Sequence, residues 1–468
     1  MFLQQTSAKI LYAIDEMVNA TMPNISSTLN KRMNIVTLTW PIFVEVLLRM
    51  ALNTTDVFML SGYSDLAVSA VGVIAQISFF LIVVSMMVSS GTGILIAQYN
   101  GADRPTESAD VGVASILLAI LVGGILSISL FFGARLFISL FGLENQVAQF
   151  GYEYLIISGS FTFNITISIV LTTILRSHGY SRSPMIINLI AGLINIIGDY
   201  IAIYQPFGLP VYGVSGVAIA TVLSQVIGTL LMCWMIRSKD IDLPFKNWRN
   251  IPTAIYKKII KIGAMNAGEI LSYNMAQMTI VYFIVQMGTS SLAAFTYMQN
   301  ITRLSFAFSL ALGQATQIQT SYFIGKGWVD DILIRVQKYF LIGLTVSTSV
   351  ILIIFFFRYE IIDLFTQDPD IIPLIAMLIA GSIFIESGRV FNLIFISALK
   401  GAGDIKFPVQ IGILSMWGIA VLSSYLFGLH WGYGVIGASI AIGMDEWARG
   451  LIMLRRWRSK VWTRFLLT

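Results

Sequence analysis

Carboxyl and amide side chains recur inside stretches of this chain that are otherwise apolar, and their spacing is helical. In "LINIIGDYIAIY" (193–204), Asn195 and Asp199 stand four residues apart. Asn188 lies seven residues before Asn195, so 188, 195 and 199 share one helical face. No basic residue lies close to Asp199 in sequence to keep it ionised. A carboxyl so placed can carry a proton, or ligate sodium where amide and hydroxyl oxygens join it. It can also bond an amide and simply glue two helices together. In "PIFVEVLLRMALNTTDVF" (41–58), Glu45, Arg49 and Asp56 fall at i, i+4 and i+11 on one face. Glu45 and Arg49 are placed to pair, which leaves Asp56 as the unneutralised carboxylate. The plainer reading is a structural salt bridge with a carboxylate near the outer rim.

The later part of the chain carries a different set. Glu269 is followed at a distance by Arg303, which is placed to meet it across helices. In "FIESGRVFN", Glu386 and Arg389 stand at i, i+3 and read as a structural pair, so loss of Glu386 alone should strand Arg389 in low dielectric. Asp445, Glu446 and Arg449 read as a capping or packing cluster, and His178 as a solvated loop residue.

These residues need long apolar elements to hold them. Of 468 residues, 56% are hydrophobic and only 11% charged. Mean hydropathy is +0.81. A soluble protein carries about 25% charged residues. Twelve apolar stretches of bilayer-spanning length recur: 34–61, 66–98, 109–133, 147–175, 184–204, 213–236, 255–286, 291–324, 336–357, 371–399, 407–427 and 435–454. The alternation of a membrane barrel is absent, so the fold class is an all-α membrane protein. The single cysteine, Cys233, excludes an internal disulfide, and with two histidines no dedicated zinc or haem site is expected. The chain lacks a G-x-x-x-x-G-K-[ST] loop and any clustered nucleophile, base and metal set, which argues against an ATP-driven pump and against a membrane enzyme. No cofactor is expected beyond a coupling ion. The first 33 residues lack the apolar core of a cleavable signal peptide, so insertion should rely on the first span.

The net charge of +5 does not point to nucleic acid, because of where the charges sit. With the N-terminus inside, most basic residues lie in inner segments, including the 237–261 loop and the tail from Arg455 to Arg464. The outer loops hold only Arg135 and Arg358. Such a bias places both termini in the cytoplasm of a plasma-membrane protein, with the basic charge at the inner leaflet.

A shift of 224 residues superposes one half on the other. Glu45 meets Glu269, Gly101 meets Gly325, and "ISLF" (138–141) meets "IDLF" (362–365). "LRSHGYSRSP" (175–184) meets "LKGAGDIKFP" (399–408), with Leu, Gly and Pro identical. The chain therefore divides into an inner N-terminal segment (1–33), a six-span lobe (34–236), a cytoplasmic loop (237–254), a second six-span lobe (255–454) and a basic tail (455–468). Six spans per copy makes the repeat parallel, two pseudo-symmetric six-helix bundles of the kind secondary transporters rock against each other. The second copy departs at the carboxylates: Asp56 maps near Ile280 and Asp199 near Ser423.

The first-span stretch beginning at Pro41, the loop-and-fifth-span stretch 175–204 and "ALKGAGDIKFP" together resemble the multidrug and toxic compound extrusion (MATE) family, over nearly the whole chain from residue 34. The resemblance implies a cation-coupled antiporter, driven by H⁺ or Na⁺, exporting amphipathic and often cationic compounds, with lipids as neighbours and a monomer as the working form. It implies an N-lobe cation site at Asp56, Asn195, Asp199 and Thr221, with Na⁺ as one occupant. In members with a second acidic pair on the seventh and tenth spans, Glu269 matches the first position, whereas the second falls near Arg389 rather than Glu386. A flippase for lipid-linked precursors, from the same wider superfamily, is the alternative; it would be expected to line its cavity with free basic residues.

Overall fold

The computed structural model describes residues 32–204, 208 and 210–467, so the N-terminal segment before residue 32 lies outside the described residues. Among the described residues there is helix and no strand. In a bilayer a helix satisfies every backbone N–H and C=O within its own segment, whereas strands must close into a barrel to do so. The span helices are α1 (Ile35–Ser61), α2 (Asp65–Gly101), α3 (Pro105–Ser139), α4 (Asn145–Ser160 with Thr162–Ser177), α5 (Arg182–Tyr204) and α6 (Gly213–Ser238). They continue as α7 (Thr253–Gln286), α8 (Thr289–Gly325), α9 (Val329–Phe356), α10 (Ile372–Gly401), α11 (Lys406–His430) and α12 (Gly434–Arg458).

Eight of these helices are long and apolar enough to cross a membrane outright, and the two pieces of α4 qualify together. Those pieces are bent by 48° at Phe161. Helices α7, α8 and α12 are not among these eight; α7 carries Glu269 and α12 carries Asp445 and Glu446, all three buried. In α11 the backbone is π-helical over Met416–Val421 and Ser424–His430, a local unwinding that a purely apolar stretch does not announce.

Two compact units emerge. Of the described residues, one holds those of Val44–Asn100 and Arg104–Ala267; the other holds those up to Phe43, Gly101–Asp103 and those from Gly268 onward. The 237–254 loop, with a short helix at Phe245–Asn250, belongs to the first unit. In that unit, Met59 and Leu60 of α1 pack on Ala67, Ala202, Ile203, Val214 and Val217. Hydroxyl pairs tie its helices internally, Ser85 to Thr166 at 2.8 Å and Ser89 to Thr173 at 2.6 Å. Such bonds hold helices where lipid offers no hydrophobic drive. In the second unit α8, α9, α10 and α12 enclose a core that includes Leu312, Tyr322, Tyr339, Phe395 and Trp457.

The repeated loops agree in backbone as well as in sequence. Gly179 has φ +82° and Gly403 has φ +97°, both in the left-handed region that favours glycine. His178 departs from its reading as a solvated residue: it is half-buried, with Nδ1 2.8 Å from the Ile174 carbonyl.

Candidate functional site

In the N-terminal unit, small residues let α5 and α6 approach closely. A Cβ on Gly198 would stand 2.6 Å from the Ala220 Cβ, and one on Gly216 2.7 Å from the Ala202 Cβ. That approach brings Thr221 beside the polar face of α5. Asn195 Nδ2 donates to Asp199 Oδ2 at 3.3 Å and lies 3.4 Å from Thr221 Oγ1. The Thr221 hydroxyl itself donates to the Val217 carbonyl at 2.9 Å. Across from them, Asp56 of α1 is within hydrogen-bonding reach of Asp199. Tyr154 of α4 hydrogen-bonds Thr221 and lies close enough to feel both carboxyls. Asp199 is 1% exposed, and Asp56 is half-buried.

Asp56, Asn195, Asp199 and Thr221 thus meet, with α1 coming from far along the sequence to join the consecutive helices α5 and α6. Two carboxyls can share a hydrogen bond only if one carries a proton, because ionised carboxylates only accept. Asp56 Oδ1 and Asp199 Oδ1 are both buried without a donor. Orphaned acceptors of this kind fit a proton, or a small cation with the Thr221 and Asn195 oxygens as further ligands. No cluster of three or more His, Cys, Asp or Glu suited to a transition metal occurs among the described residues. Tyr154 was not singled out by the sequence; one of the two tyrosines in "YEYLIIS" carries no spacing signal.

Asn188 does not join this group although it shares the α5 face. It donates to Glu45 Oε1 at 2.9 Å. Glu45 also accepts from Arg49 at 3.2 Å and from Arg176 at the end of α4. The first-span pair therefore exists, but Arg49 is its exposed partner and Arg176 its sheltered one, with side-chain exposures of 69% and 15%. A cavity of about 240 Å³ runs from Glu45, Arg49 and Asn188 as far as Asn195, Thr221 and Gln225.

In the C-terminal unit the expected meeting of Glu269 with Arg303 does not occur. Glu269 pairs with Lys400, and Arg303 is exposed on α8. Lys400 is the repeat counterpart of Arg176, and each pair is separated by 131 residues, so the duplicated sequence carries a duplicated ion pair. Glu386 does meet Arg389, but Arg389 also reaches Glu446 at 3.3 Å. Removing Glu386 would therefore not strand Arg389, contrary to the sequence expectation. Of the capping or packing cluster expected at Asp445, Glu446 and Arg449, the structure gives the packing one: all three are buried within α12, with Arg449 bonded to both carboxylates at 2.8 and 3.2 Å.

The MatE family model matches residues 41–201 and 267–426 of the chain. The chain is 38% identical over 436 residues to the "Uncharacterized transporter YisQ" of Bacillus subtilis (strain 168), covering 92% of this chain and 95% of that one. It is 27% identical to the "Probable multidrug resistance protein NorM" of Thermotoga maritima, with 92% and 93% covered. Among solved structures it resembles an outward-facing multidrug resistance MATE family transporter of the MOP superfamily, with a TM-score of 0.85, 21% identity, and 93% and 98% of the two chains covered.

Proposed function

The chain belongs to the MatE family, and from that premise we propose that this integral membrane transporter is a cation-coupled antiporter that exports amphipathic, often cationic compounds from the cytoplasm. The observation that carries this reading is the Asp56–Asp199 carboxyl pair, buried with Asn195 and Thr221 and left with two acceptor oxygens lacking donors. Such a pair binds a proton or Na⁺ and is costly when empty, so its occupancy can bias one conformation over another.

The cation enters from outside, relieves the repulsion between the two carboxylates and is released inside, while the exported compound travels the other way. One charge crossing about 100 mV gains about 2.3 kcal/mol. A gradient of one pH unit adds about 1.4 kcal/mol. Together these support accumulation ratios of several hundred for a neutral solute without ATP. Three in-span arginines, Arg49, Arg389 and Arg449, are engaged by carboxylates, which weighs against a cavity built for a lipid pyrophosphate. The positive bias of the inner loops supports cytoplasmic termini.

The test is efflux of a fluorescent cationic dye from proteoliposomes under an imposed Na⁺ or pH gradient. Stimulation by one of the two gradients is expected. Efflux indifferent to both would sink the antiporter reading.

A further inference from the structure

Three carboxyls and two guanidiniums share one network in the C-terminal unit. Glu386 and Arg389 come from α10, and Asp445, Glu446 and Arg449 from α12. Glu386, Asp445, Glu446 and Arg449 are 2–5% exposed. Arg389 bridges Glu386 and Glu446, while Arg449 bridges Asp445 and Glu446. Asn392 donates to the Glu446 carboxylate and backbone carbonyl, and Ser415 of α11 donates to Asp445 Oδ1. From α8 the Phe306 ring lies 5.4 Å from the Arg389 guanidinium. From α7, Tyr273 sits among these charges, and Glu269, already paired with Lys400, faces Arg449.

The charges do not balance. With every carboxyl ionised, the network would bury one negative charge more than its two guanidiniums offset. An uncompensated buried ion costs several kcal/mol even after relaxation. The deficit also has an address, since Glu386 spends Oε1 on Arg389 while its Oε2 is buried without a donor. A second buried acceptor, Asn392 Oδ1, belongs to the amide whose nitrogen is bonded to Glu446, so it too lies at the network.

We propose that this network is a proton-binding site of the C-terminal unit, holding one exchangeable proton shared among Glu386, Asp445 and Glu446, with Glu386 Oε2 as its principal seat. A metal cation fits it poorly. Two guanidiniums inside the network repel a metal and occupy the carboxylate oxygens that would ligate it, whereas a proton needs one lone pair. The site is distinct from the Asp56–Asp199 pair and would give the transport cycle a second proton. In that sense the inference rests on the cation-coupled reading.

Its test does not use transport. Infrared difference spectra of the purified full chain in lipid nanodiscs, taken between acid and alkaline pH, report the C=O stretch of protonated carboxyls. The Asp56→Asn/Asp199→Asn double variant silences the N-terminal pair and is expected to retain a pH-dependent, deuterium-sensitive band at the high frequency of a carboxyl shielded from water, set apart from the band of the solvated carboxyls. Adding Glu386→Gln leaves two carboxyls against two guanidiniums, and that band should vanish. Arg389→Gln, which deepens the imbalance, should strengthen it. If Glu386→Gln fails to fold, Asp445→Asn restores the same balance and should remove the same band. No band in the double variant, or one that survives these neutralisations, overturns the proposal. So does a band that sodium erases at constant pH, which would mark a metal site. If instead Asp199→Asn still pumps while the band behaves as expected, the coupling reading fails and the proton site stands.

Discussion

Asp199 and Glu386 look alike in sequence, as acidic residues in apolar helices, yet Glu386 is paired with an arginine. Asp199 faces another carboxyl and an amide and has no cation partner among the contacts around it. Asp199→Asn preserves its shape and hydrogen-bonding capacity while removing the exchangeable proton. It should fold and insert normally, still bind the exported compound, and lose gradient-driven efflux, measured in proteoliposomes beside an equilibrium dye-binding titration. Wild-type pumping by the purified variant would reduce the α5 polar face to helix glue. Within the C-terminal network, Glu386→Gln leaves Arg389 bonded to Glu446 and should change stability little. Glu446→Gln removes the carboxylate that both Arg389 and Arg449 use while leaving Arg389 on Glu386 and Arg449 on Asp445, and should cost about 1–3 kcal/mol through the charged hydrogen bonds it loses. The midpoint of denaturation in detergent reads both; equal losses would show that the two carboxyls are interchangeable supports.

Among the helices, close approach and paired charge carry the architecture. A Cβ on Gly263 of α7 would fall 1.6 Å from the Met87 carbonyl of α2, and one on Gly91 2.5 Å from the Ile259 carbonyl. Backbone cannot yield as a flexible side chain does, so Gly263→Ala should destabilise by at least the ~1–3 kcal/mol typical of overpacking. Gly124 of α3 meets nothing within 4 Å, and Gly124→Ala should instead stabilise by about 0.5–1 kcal/mol through helix propensity. Opposite shifts in thermal midpoint are the expected pattern. The ion pairs Glu45–Arg176 and Glu269–Lys400 each tie the first helix of a repeat to the end of its fourth. A double-mutant cycle with Glu269→Gln and Lys400→Met should show the double variant more stable than the sum of its singles predicts. Strict additivity would mean that the two side chains are neighbours without being partners.

For the molecule as a whole, the arrangement of charge sets which ends face the cytoplasm. In a Cys233→Ser background, a cysteine at Gln367, exposed in the segment between α9 and α10, should react with a membrane-impermeant maleimide in intact cells. A cysteine at Asn247, exposed in the loop between α6 and α7, should react only in inside-out vesicles. The reverse pattern would invert the orientation and, with it, the direction of transport.

Several features were legible without coordinates because they are local or periodic. Apolar runs long enough to span a bilayer permit little but helices, since no other backbone satisfies itself in hydrocarbon. A constant offset of 224 residues announces duplication, and the spacing of Asn195 and Asp199 puts them one turn apart whatever surrounds them. What surrounds them is a tertiary matter. Whether Asp199 faces Asp56 or nothing depends on how α5 packs beside α1 and α6, and the small residues Gly198, Ala202, Gly216 and Ala220 set how closely α5 and α6 approach. From sequence, Arg303 after "YMQNIT" is the residue placed to meet Glu269. The folded chain chose Lys400, 131 residues away, because α10 ends beside α7 and a lysine stem can reach the carboxylate there. The joining of Glu386 and Arg389 to α12 has the same origin: charges paired along one helix are written in its period, but charges shared between helices are settled only where the helices pack.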